Sequence, residues 1–292
     1  MFAYFSWYPP GHGNVFHSMD YCGLLDNLID QGRDICFISN IDNMGATVDL
    51  KIAKKMIDSD IDYLMEVTEK TAADTKGGTL IKIYGKPMHL EMPQVPKDHI
   101  DEFCSMRTFK LFNTNNIWVN LKAVKRKLPT MSMEIIVNKK TLRTGEKVVQ
   151  LETSVGGAIR NFDKVCNVRV SRARFLPVKK TQDLLAVMSN LYEVDPEFNV
   201  HLRIDRPIPY APSIKLSDHF NSLQDFLRRF PTVPDLRDLI RLKIDGDVCF
   251  GTNVVLKGDV IIVADEGHHL SIPSMSFIDN KFVTGRLQLR EN

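Results

Sequence analysis

The chain has 292 residues, of which 43% are hydrophobic and 25% are charged, and its formal net charge at pH 7 is +2. This composition is typical of a globular protein with one large domain or two ordinary ones. A charge so close to zero argues against a dedicated nucleic-acid binder, and no apolar run reaches the length of a membrane span. The five cysteines are scattered singly, which is typical of a reducing cytosol. We therefore expect a cytoplasmic protein without nucleic-acid or membrane partners.

A loop rich in proline and glycine comes first, in the segment WYPPGHGN at residues 7–14. Its composition indicates a special backbone conformation. His12 lies between Gly11 and Gly13, so its side chain can approach a ligand with the neighbouring backbone close by. A turn histidine in solvent explains the same pattern equally well.

The segment Arg33–Asp49 is the one around which we interpret the rest of the chain. Its apolar run, Ile35–Ile38, is typical of a strand buried on both faces, and a helical pattern begins at Gly45. An aspartate after such a strand lies where open α/β sheets bind ligands. Asp42 is therefore our candidate for a magnesium ligand, since this ion takes oxygen donors and bridges substrate phosphates. A turn or helix cap is the simpler explanation of an isolated aspartate.

Strand and helix patterns continue to alternate after this segment. A helical pattern through residue 56 is followed by a strand at Tyr63–Thr68, which predicts parallel βαβ units. The paired glycines Gly77 and Gly78 precede an alternating strand and allow close backbone approach of a ligand, although a hairpin turn is an alternative. The sequence NTNN at residues 113–116, between two predicted strands, suits hydroxyl recognition because amides both donate and accept hydrogen bonds. A plain turn fits it as well.

The second half of the chain predicts a helix from Gln150 to Ile159 and a charged segment ending at Lys179. A lysine beside the following helix could hold phosphate as a point charge, or could simply be solvated. After Leu239 the pattern changes to short β-rich runs in which Gly-Asp-Val recurs at 246–248 and 258–260. Such a quasi-repeat is typical of stacked β-helix strands. We therefore predict two domains, at 1–235 and 236–292.

A set of ordered motifs identifies the family that this chain resembles. The motifs are PPGHG (9–13), SNIDNMGATVDL (39–50), EVTEKTAADTKGGTL (66–80), FNTNNIWVNLKAVKR (112–126), MEIIVN (133–138), QLETSVGGAI (150–159), SRARFLPVKKTQDLLAVMSNLY (171–192) and GDVCFGTNVVLKGDVIIVA (246–264). Through them the chain resembles the eukaryotic UTP–glucose-1-phosphate uridylyltransferases, also called UDP-glucose pyrophosphorylases. The resemblance implies an α/β fold. Its first part would be a glycosyltransferase-A-like nucleotide-diphospho-sugar transferase domain lacking its first strands. A small left-handed β-helix-like C-terminal domain would follow and make the protein a homo-oligomer.

The resemblance also implies an activity, which is uridylyl transfer from UTP to glucose 1-phosphate with release of pyrophosphate. The transfer would be in line, without a covalent intermediate, and would use Mg²⁺ as its cofactor. The catalytic residues implied by the motifs are Lys179, which neutralises the phosphates, and Asp42, which serves both magnesium and UTP. The implied substrate contacts are Gly11 for the nucleotide, His12 for the sugar phosphate, Asn40, and then Asn115, Gly78 and Glu91 on the glucose side.

The resemblance covers the C-terminal part of such enzymes. The family's glycine-rich L-x-G-G-x-G-T loop, which precedes PPGHG and cradles the triphosphate, has no counterpart in this sequence. We therefore expect an N-terminally truncated member whose turnover as this polypeptide is reduced by orders of magnitude. The alternatives are an impaired homologue that acts as a binding or assembly subunit through its C-terminal domain, and a sugar-phosphate-binding domain without transfer chemistry.

Overall fold

The computed structural model describes residues 9–71, 74–142 and 144–285, so the predictions made for residues 1–8 lie outside it. The contacts divide the chain into two compact units. Unit 1 comprises the residues up to Asn40 together with Ala46–Phe175, and unit 2 comprises Ile41–Gly45 and the residues from Leu176 onward. The domain boundary that we predict at 235/236 is a different division and stays a prediction. No helix in the described ranges is long and apolar enough to cross a membrane.

The helices and strands of the described residues are short. The α-helices are α1 (Val15–Tyr21), α2 (Leu24–Asp30), α3 (Leu50–Asp58), α4 (Ile100–Cys104), α5 (Leu121–Lys127), α6 (Thr181–Met188) and α7 (Leu223–Arg229). The strands are β1 (Ile35–Ile38), β2 (Tyr63–Glu69), β3 (Thr79–Ile83), β4 (Lys86–Leu90), β5 (Leu111–Asn120), β6 (Ile135–Thr141), β7 (Lys147–Thr153), β8 (Val165–Arg169), β9 (Tyr192–Val194), β10 (Val200–Leu202), β11 (Ser213–Lys215), β12 (Leu239–Asp245), β13 (Asp247–Phe250), β14 (Val255–Val263), β15 (His269–Ile272), β16 (Phe277–Asp279) and β17 (Phe282–Thr284). Single 3-10 turns are at His12–Asn14, Met92–Gln94, Lys97–His99, Leu128–Thr130, Arg172–Arg174 and Asp218–Phe220, and a longer one is at Gly156–Asn161.

Unit 1 is built on a mixed four-stranded sheet in the order β1-β5-β2-β8. Strand β5 pairs antiparallel with β1 and β2, and β2 pairs parallel with β8. Strands β1 and β2 therefore run in the same direction but are separated by β5. They do not form the adjacent strands of the βαβ unit that the sequence predicts, because β5 inserts between them from later in the chain.

Both faces of this sheet are buried. Tyr63, Met65 and Ile117 contribute to one apolar cluster. Leu64 and Trp118 contribute to another, which includes residues of α3. Successive residues of a strand point to opposite faces, so this alternation is what a sheet covered on both sides requires. The apolar run Ile35–Ile38, predicted as a buried strand, is the edge strand β1.

Three predicted elements differ in the structure. Helix α3 begins at Leu50, not at Gly45, because Asp49 caps it by accepting a hydrogen bond from the Lys51 N–H at 2.8 Å. The helix predicted over residues 150–159 is wrong. Its first residues belong to β7, which alternates in burial along its antiparallel pairing with β6, and a 3-10 turn follows. The NTNN segment lies inside the single strand β5 and does not separate two strands.

Unit 2 contains stacked parallel strands. Strand β12 pairs with β14, β13 with β15, and β14 with both β16 and β17, all in parallel. The aligned pairs Leu242–Val260 and Val248–Leu270 are buried in one apolar core. Both Gly-Asp-Val segments therefore supply a buried valine to this core, since Val248 and Val260 are their third residues.

Candidate functional site

The proline- and glycine-rich loop is pressed onto the end of β7. Gly11 has φ +90°, and a Cβ there would lie 2.6 Å from the Thr153 nitrogen and closer still to its carbonyl oxygen. The Thr153 N–H donates a hydrogen bond to the Pro10 carbonyl at 2.9 Å. His12 Nδ1 accepts one from the Val155 N–H at 2.9 Å, which leaves the proton of the neutral ring on Nε2. Burial lowers the pKa of His12, and the charge of Glu152 only partly opposes this.

His89, on β4, fills the space between two glycine backbones. Its side chain is 1% exposed. A Cβ on Gly78 would lie 2.9 Å from its Cε1 and closer to its Nε2, and a Cβ on Gly156 would lie 2.7 Å from its Nδ1. Burial, with a smaller contribution from His12, lowers the pKa of His89 to about 4. The buried imidazole is therefore neutral at pH 7.

Two asparagines of β5 are locked to each other beside this imidazole. Asn113 Nδ2 donates to Asn115 Oδ1 at 2.6 Å and lies 3.2 Å from His89 Nε2. The Asn115 N–H donates to Asn113 Oδ1 at 2.8 Å, and Asn115 has a left-handed backbone with φ +59°. The Asn113 N–H also donates to the Gly78 carbonyl at 2.9 Å. The orientation of both amides is therefore fixed before any ligand binds.

The carboxyl group of Glu91 completes this group of side chains. Glu91 Oε1 lies 3.6 Å from His89 Nδ1, and its side chain is 25% exposed. Burial raises the pKa of Glu91. Five of the residues predicted from the sequence thus come together in unit 1. They are Gly11, His12, Gly78, Glu91 and Asn115. With His89 and Asn113 they are called the sugar cluster below.

Asn40 is the remaining predicted residue of unit 1. It follows β1, whose last residue, Ile38, is aligned with Ile117 of β5. Asn40 therefore lies at the same end of the sheet as Asn115. Its side chain is half-buried and makes no hydrogen bond within the described ranges, so its amide is available to a ligand.

The other two predicted residues, Asp42 and Lys179, lie in unit 2. Lys179 Nζ is 4.0 Å from Asp42 Oδ2. The backbone holds them side by side, because the Val178 N–H donates to the Asp42 carbonyl at 2.9 Å. Asp183 Oδ2 accepts from the N–H groups of Lys179 and Lys180 at 3.0 and 2.9 Å, which fixes the entry to α6. The fold therefore places an aspartate and a lysine next to each other on adjoining segments of unit 2.

The Asp42 carboxylate suits a magnesium ion. It accepts no hydrogen bond within the described part of the chain, and its side chain is 31% exposed. Mg²⁺ binds through one or two carboxylates together with substrate phosphates and water, so a single open carboxylate is enough to hold it. Asp42 is thus the residue that would hold the ion.

The comparisons with known proteins decide the family. A family model described as UTP–glucose-1-phosphate uridylyltransferase matches residues 3–257. The chain belongs to this family. The uridylyltransferase of Saccharomyces cerevisiae is 50% identical to it over 98% of this chain and 58% of that protein. The one of Hordeum vulgare is 49% identical over 96% of this chain and 59% of that protein. The chain thus spans about three fifths of the length of the curated uridylyltransferases it matches.

Solved structures of UDP-glucose pyrophosphorylases share this fold. The H191L mutant from Leishmania major has a TM-score of 0.85 and 32% identity, covering 98% of this chain and 64% of that one. The G45Y mutant from the same organism, in complex with UDP-glucose, has a TM-score of 0.84 and 32% identity over 96% and 63% of the two chains. A structure from Trypanosoma brucei, described as a UDP-glucose phosphorylase, has a TM-score of 0.84 and 35% identity, covering 96% of this chain and 62% of that one. The α/β fold with mixed and parallel sheets is therefore that of the uridylyltransferase family.

Some residues of the sugar cluster and its surroundings were not predicted from the sequence as site residues of this member of the uridylyltransferase family. They are His89, Ser154 and Gly156, which are all buried there. The motif QLETSVGGAI contains the last two and could have pointed to them. A histidine within an otherwise unremarkable hairpin strand gave no such signal. Its role depends on two glycines, Gly78 and Gly156, that are distant in sequence.

A second group of metal-binding residue types occurs in unit 2. Within the described ranges, Asp247, Cys249 and His269 offer ligand atoms that lie within 4.8 Å of one another. However, Asp247 Oδ1 lies 2.7 Å from Arg229 Nη2, and Asp247 Oδ2 lies 3.2 Å from His269 Nδ1. The buried guanidinium already neutralises the carboxylate and would repel a cation. We therefore assign this group a structural role.

Proposed function

We propose that this chain carries the transfer of a uridylyl group from UTP to glucose 1-phosphate, giving UDP-glucose and pyrophosphate. The observation that supports this most is the sugar cluster, in which five residues predicted as substrate contacts lie together in unit 1. Membership of the uridylyltransferase family gives the cluster its chemistry. UDP-glucose, the product of the proposed reaction, is the ligand in the structure of the Leishmania major G45Y relative.

The sugar cluster has the polar groups that a hexose needs. Asn115 Oδ1 is already engaged by Asn113, which leaves Asn115 Nδ2 as a donor to a sugar hydroxyl. The Glu91 carboxyl group is an acceptor for hydroxyls, and its side chain is 25% exposed. Gly78 lacks a side chain, which leaves room for the His89 imidazole and the Glu91 carboxyl group beside its backbone. Preformed donors and acceptors reduce the ordering cost of binding.

The phosphate groups are assigned to a different set of residues. Neutral His12 has its proton on Nε2 and can donate it in a hydrogen bond to the phosphate of glucose 1-phosphate. Lys179 supplies a positive charge to the phosphates, and Asp42 would hold a magnesium ion, which would supply further positive charge to the triphosphate. A phosphate oxygen of glucose 1-phosphate forms a bond to the α-phosphorus of UTP while the bond from that phosphorus to pyrophosphate breaks. The protein contributes position and charge, and no side-chain nucleophile is required.

Two measurements on the purified chain test this proposal. The first is formation of UDP-glucose and pyrophosphate from UTP, glucose 1-phosphate and Mg²⁺. The second is calorimetric binding of glucose 1-phosphate, with glucose 6-phosphate as the control ligand because its phosphate is on another carbon. We expect product formation and selective binding of glucose 1-phosphate. A folded chain that neither forms product nor distinguishes the two sugar phosphates would overturn the proposal.

The finer architecture is part of the proposal. We infer a glycosyltransferase-A-like arrangement for residues 1–235 and a left-handed β-helix-like domain for 236–292. Support for the latter comes from parallel pairs such as Val255–Phe277 and Ile261–Phe282, which stack successive strands of the same segment. A crystal structure that shows the winding of these strands tests the handedness.

Homo-oligomer formation through the C-terminal domain is proposed on the exposed apolar side chains of its last strands. Phe277 is 61% exposed and Phe282 is 66% exposed. Light scattering of the wild-type chain and of a Phe277→Asp, Phe282→Asp variant tests this, with a mass above that of one chain expected for the wild type alone. The proposed compartment is the cytosol, supported by the five free cysteines.

A further inference from the structure

Two buried polar atoms of the described residues have no hydrogen-bond partner, and both lie at the sugar cluster. They are His89 Nδ1 and Ser154 Oγ. Ser154 directly precedes Val155, the donor to His12. It lies two residues before Gly156, where a Cβ would lie 2.7 Å from His89 Nδ1. Buried polar groups in folded proteins are almost always paired, so an unpaired one indicates a function or an absent partner.

The hydrogen bonds around His89 determine where its proton lies. Asn113 Oδ1 accepts from the Asn115 N–H, so the nitrogen of the Asn113 amide is the atom that faces His89 Nε2. That nitrogen can only donate, and Nε2 must therefore accept. The proton of the neutral ring consequently lies on Nδ1, the unpaired atom. This Nδ1–H is 3.6 Å from Glu91 Oε1, just beyond hydrogen-bond distance.

We propose that His89 is a positioning residue of the sugar site: its Nε2 holds the Asn113–Asn115 amide pair, and its Nδ1–H directs the Glu91 carboxylate toward a sugar hydroxyl. The inference rests on the proposed function, because the ligand is glucose 1-phosphate. A small movement of the Glu91 carboxylate closes the gap to Nδ1, and the carboxylate can then also accept a hydrogen bond from a bound sugar hydroxyl. The His89 ring fills the space beside Gly78 and Gly156, so we expect it to act through Asn113 and Glu91 and not on the sugar directly. Its effect is thus confined to the glucose side.

The tautomer of His89 is the first test. Long-range ¹H–¹⁵N correlation spectra of the full chain at pH 7 distinguish a protonated Nδ1 from a protonated Nε2. We expect a protonated Nδ1, and we expect its resonance to move when glucose 1-phosphate is added. A protonated Nε2 would overturn the inference, since Asn113 and Glu91 would then be facing the wrong nitrogens. This test needs no variant and therefore does not depend on a substituted chain folding.

Substitutions separate the two contacts. His89→Gln keeps an acceptor near Nε2, and His89→Asn keeps a donor near Nδ1, whereas His89→Leu removes both. We expect His89→Leu to weaken glucose 1-phosphate binding about tenfold, with each amide variant in between and the Kd for UTP within about twofold of wild type. His99→Leu, at an exposed histidine outside the cluster, is the matched control and should bind like wild type.

The outcomes distinguish this inference from the proposed function. If the folded wild-type chain binds no glucose 1-phosphate, the proposed function fails and the inference fails with it. If the wild type binds and His89→Leu binds equally well, the inference alone is overturned. If His89→Leu weakens the binding of UTP and of glucose 1-phosphate equally, His89 supports the fold in general and does not position the sugar site.

Discussion

Lys179 Nζ lies 4.0 Å from Asp42 Oδ2 in unit 2, close enough for attraction but too far for a good hydrogen bond. Both side chains are partly exposed, and such pairs contribute only about 0–1 kcal/mol to stability. The arrangement therefore suits ligand binding better than it suits folding. An ammonium group and an open carboxylate side by side can bind a phosphate and the cation that accompanies it.

Lys179→Met should remove the positive charge without destabilising the fold. We expect the rate of UDP-glucose formation to fall by about 100-fold or more, since a single charge aimed at the transferring phosphates contributes a few kcal/mol. The free energy of unfolding in urea should change by no more than about 0.5 kcal/mol, as for other surface substitutions. Lys180→Met, at the next lysine, which is also exposed, should keep the wild-type rate. An unchanged rate in Lys179→Met would remove the lysine from the mechanism.

Asp42→Asn tests the magnesium assignment. The amide keeps the shape of the side chain but loses the charge that attracts the ion, so the magnesium dependence of UTP binding should disappear. Calorimetric titration of UTP with and without Mg²⁺ measures this directly. Asp30→Asn, at an exposed aspartate ending α2, is the control. Retention of a wild-type magnesium effect in Asp42→Asn would place the ion elsewhere.

The sequence predicted those parts of the fold that depend on local pattern. The apolar run Ile35–Ile38 is a strand, and the strand predicted at Tyr63–Thr68 is β2. It failed at β7, because the residues from Gln150 onward fit a helical spacing as well as an alternating one. The pairing of β7 with β6 decides between them. Strand order is also a long-range property, so the insertion of β5 between β1 and β2 could not be predicted.

The candidate site was predictable to the extent that its residues carry their own backbone signal. Gly11 and Gly78 lie in segments whose glycines indicate close approach of a ligand to the backbone, and the family resemblance predicts that both contact the substrate. His89 has no such signal. Its burial depends on the convergence of Gly78 and Gly156, which requires β4 and the turn after β7 to meet in three dimensions.

Arg174→Met should destabilise unit 1 severely. The Glu66 side chain is fully buried, and Arg174 donates to both of its carboxylate oxygens, Nη2 to Oε1 and Nε to Oε2, at 2.6 and 2.7 Å. Removing one partner of a buried pair leaves an uncompensated charge, which costs about 3–5 kcal/mol. Arg169→Met is the control, because Arg169 pairs with Glu69 on the surface and should change stability by no more than about 1 kcal/mol. Equal effects of the two variants on urea unfolding would contradict this.

Gly11→Ala separates backbone strain from close contact. Gly11 and Gly145 have similar φ values of +90° and +86°, but a Cβ would meet Thr153 backbone atoms at Gly11 and nothing within 4 Å at Gly145. Gly145→Ala should therefore cost only the strain, about 1–2 kcal/mol. Gly11→Ala should destabilise the fold by more than this. It should also displace His12 and so weaken the binding of glucose 1-phosphate. Thermal unfolding and calorimetry of both variants measure the difference, and equal behaviour would show that the loop can move away from β7.

Stability should fall as the pH is lowered from about 6.5 toward 4, chiefly through His89. Burial lowers its pKa from 6.5 to about 4, so the unfolded chain binds a proton within this window that the folded chain does not bind. The contribution of His89 is complete above pH 6.5, and about 2 kcal/mol of it should be lost by pH 5. The lowered pKa of His12 acts in the same direction, whereas the raised pKa of Glu91 opposes it at the acidic end. Urea unfolding at pH 7.5, 6 and 5 measures this loss of unfolding free energy, which should be smaller in His89→Leu than in wild type. Equal losses in the two proteins would mean that His89 titrates normally in the fold.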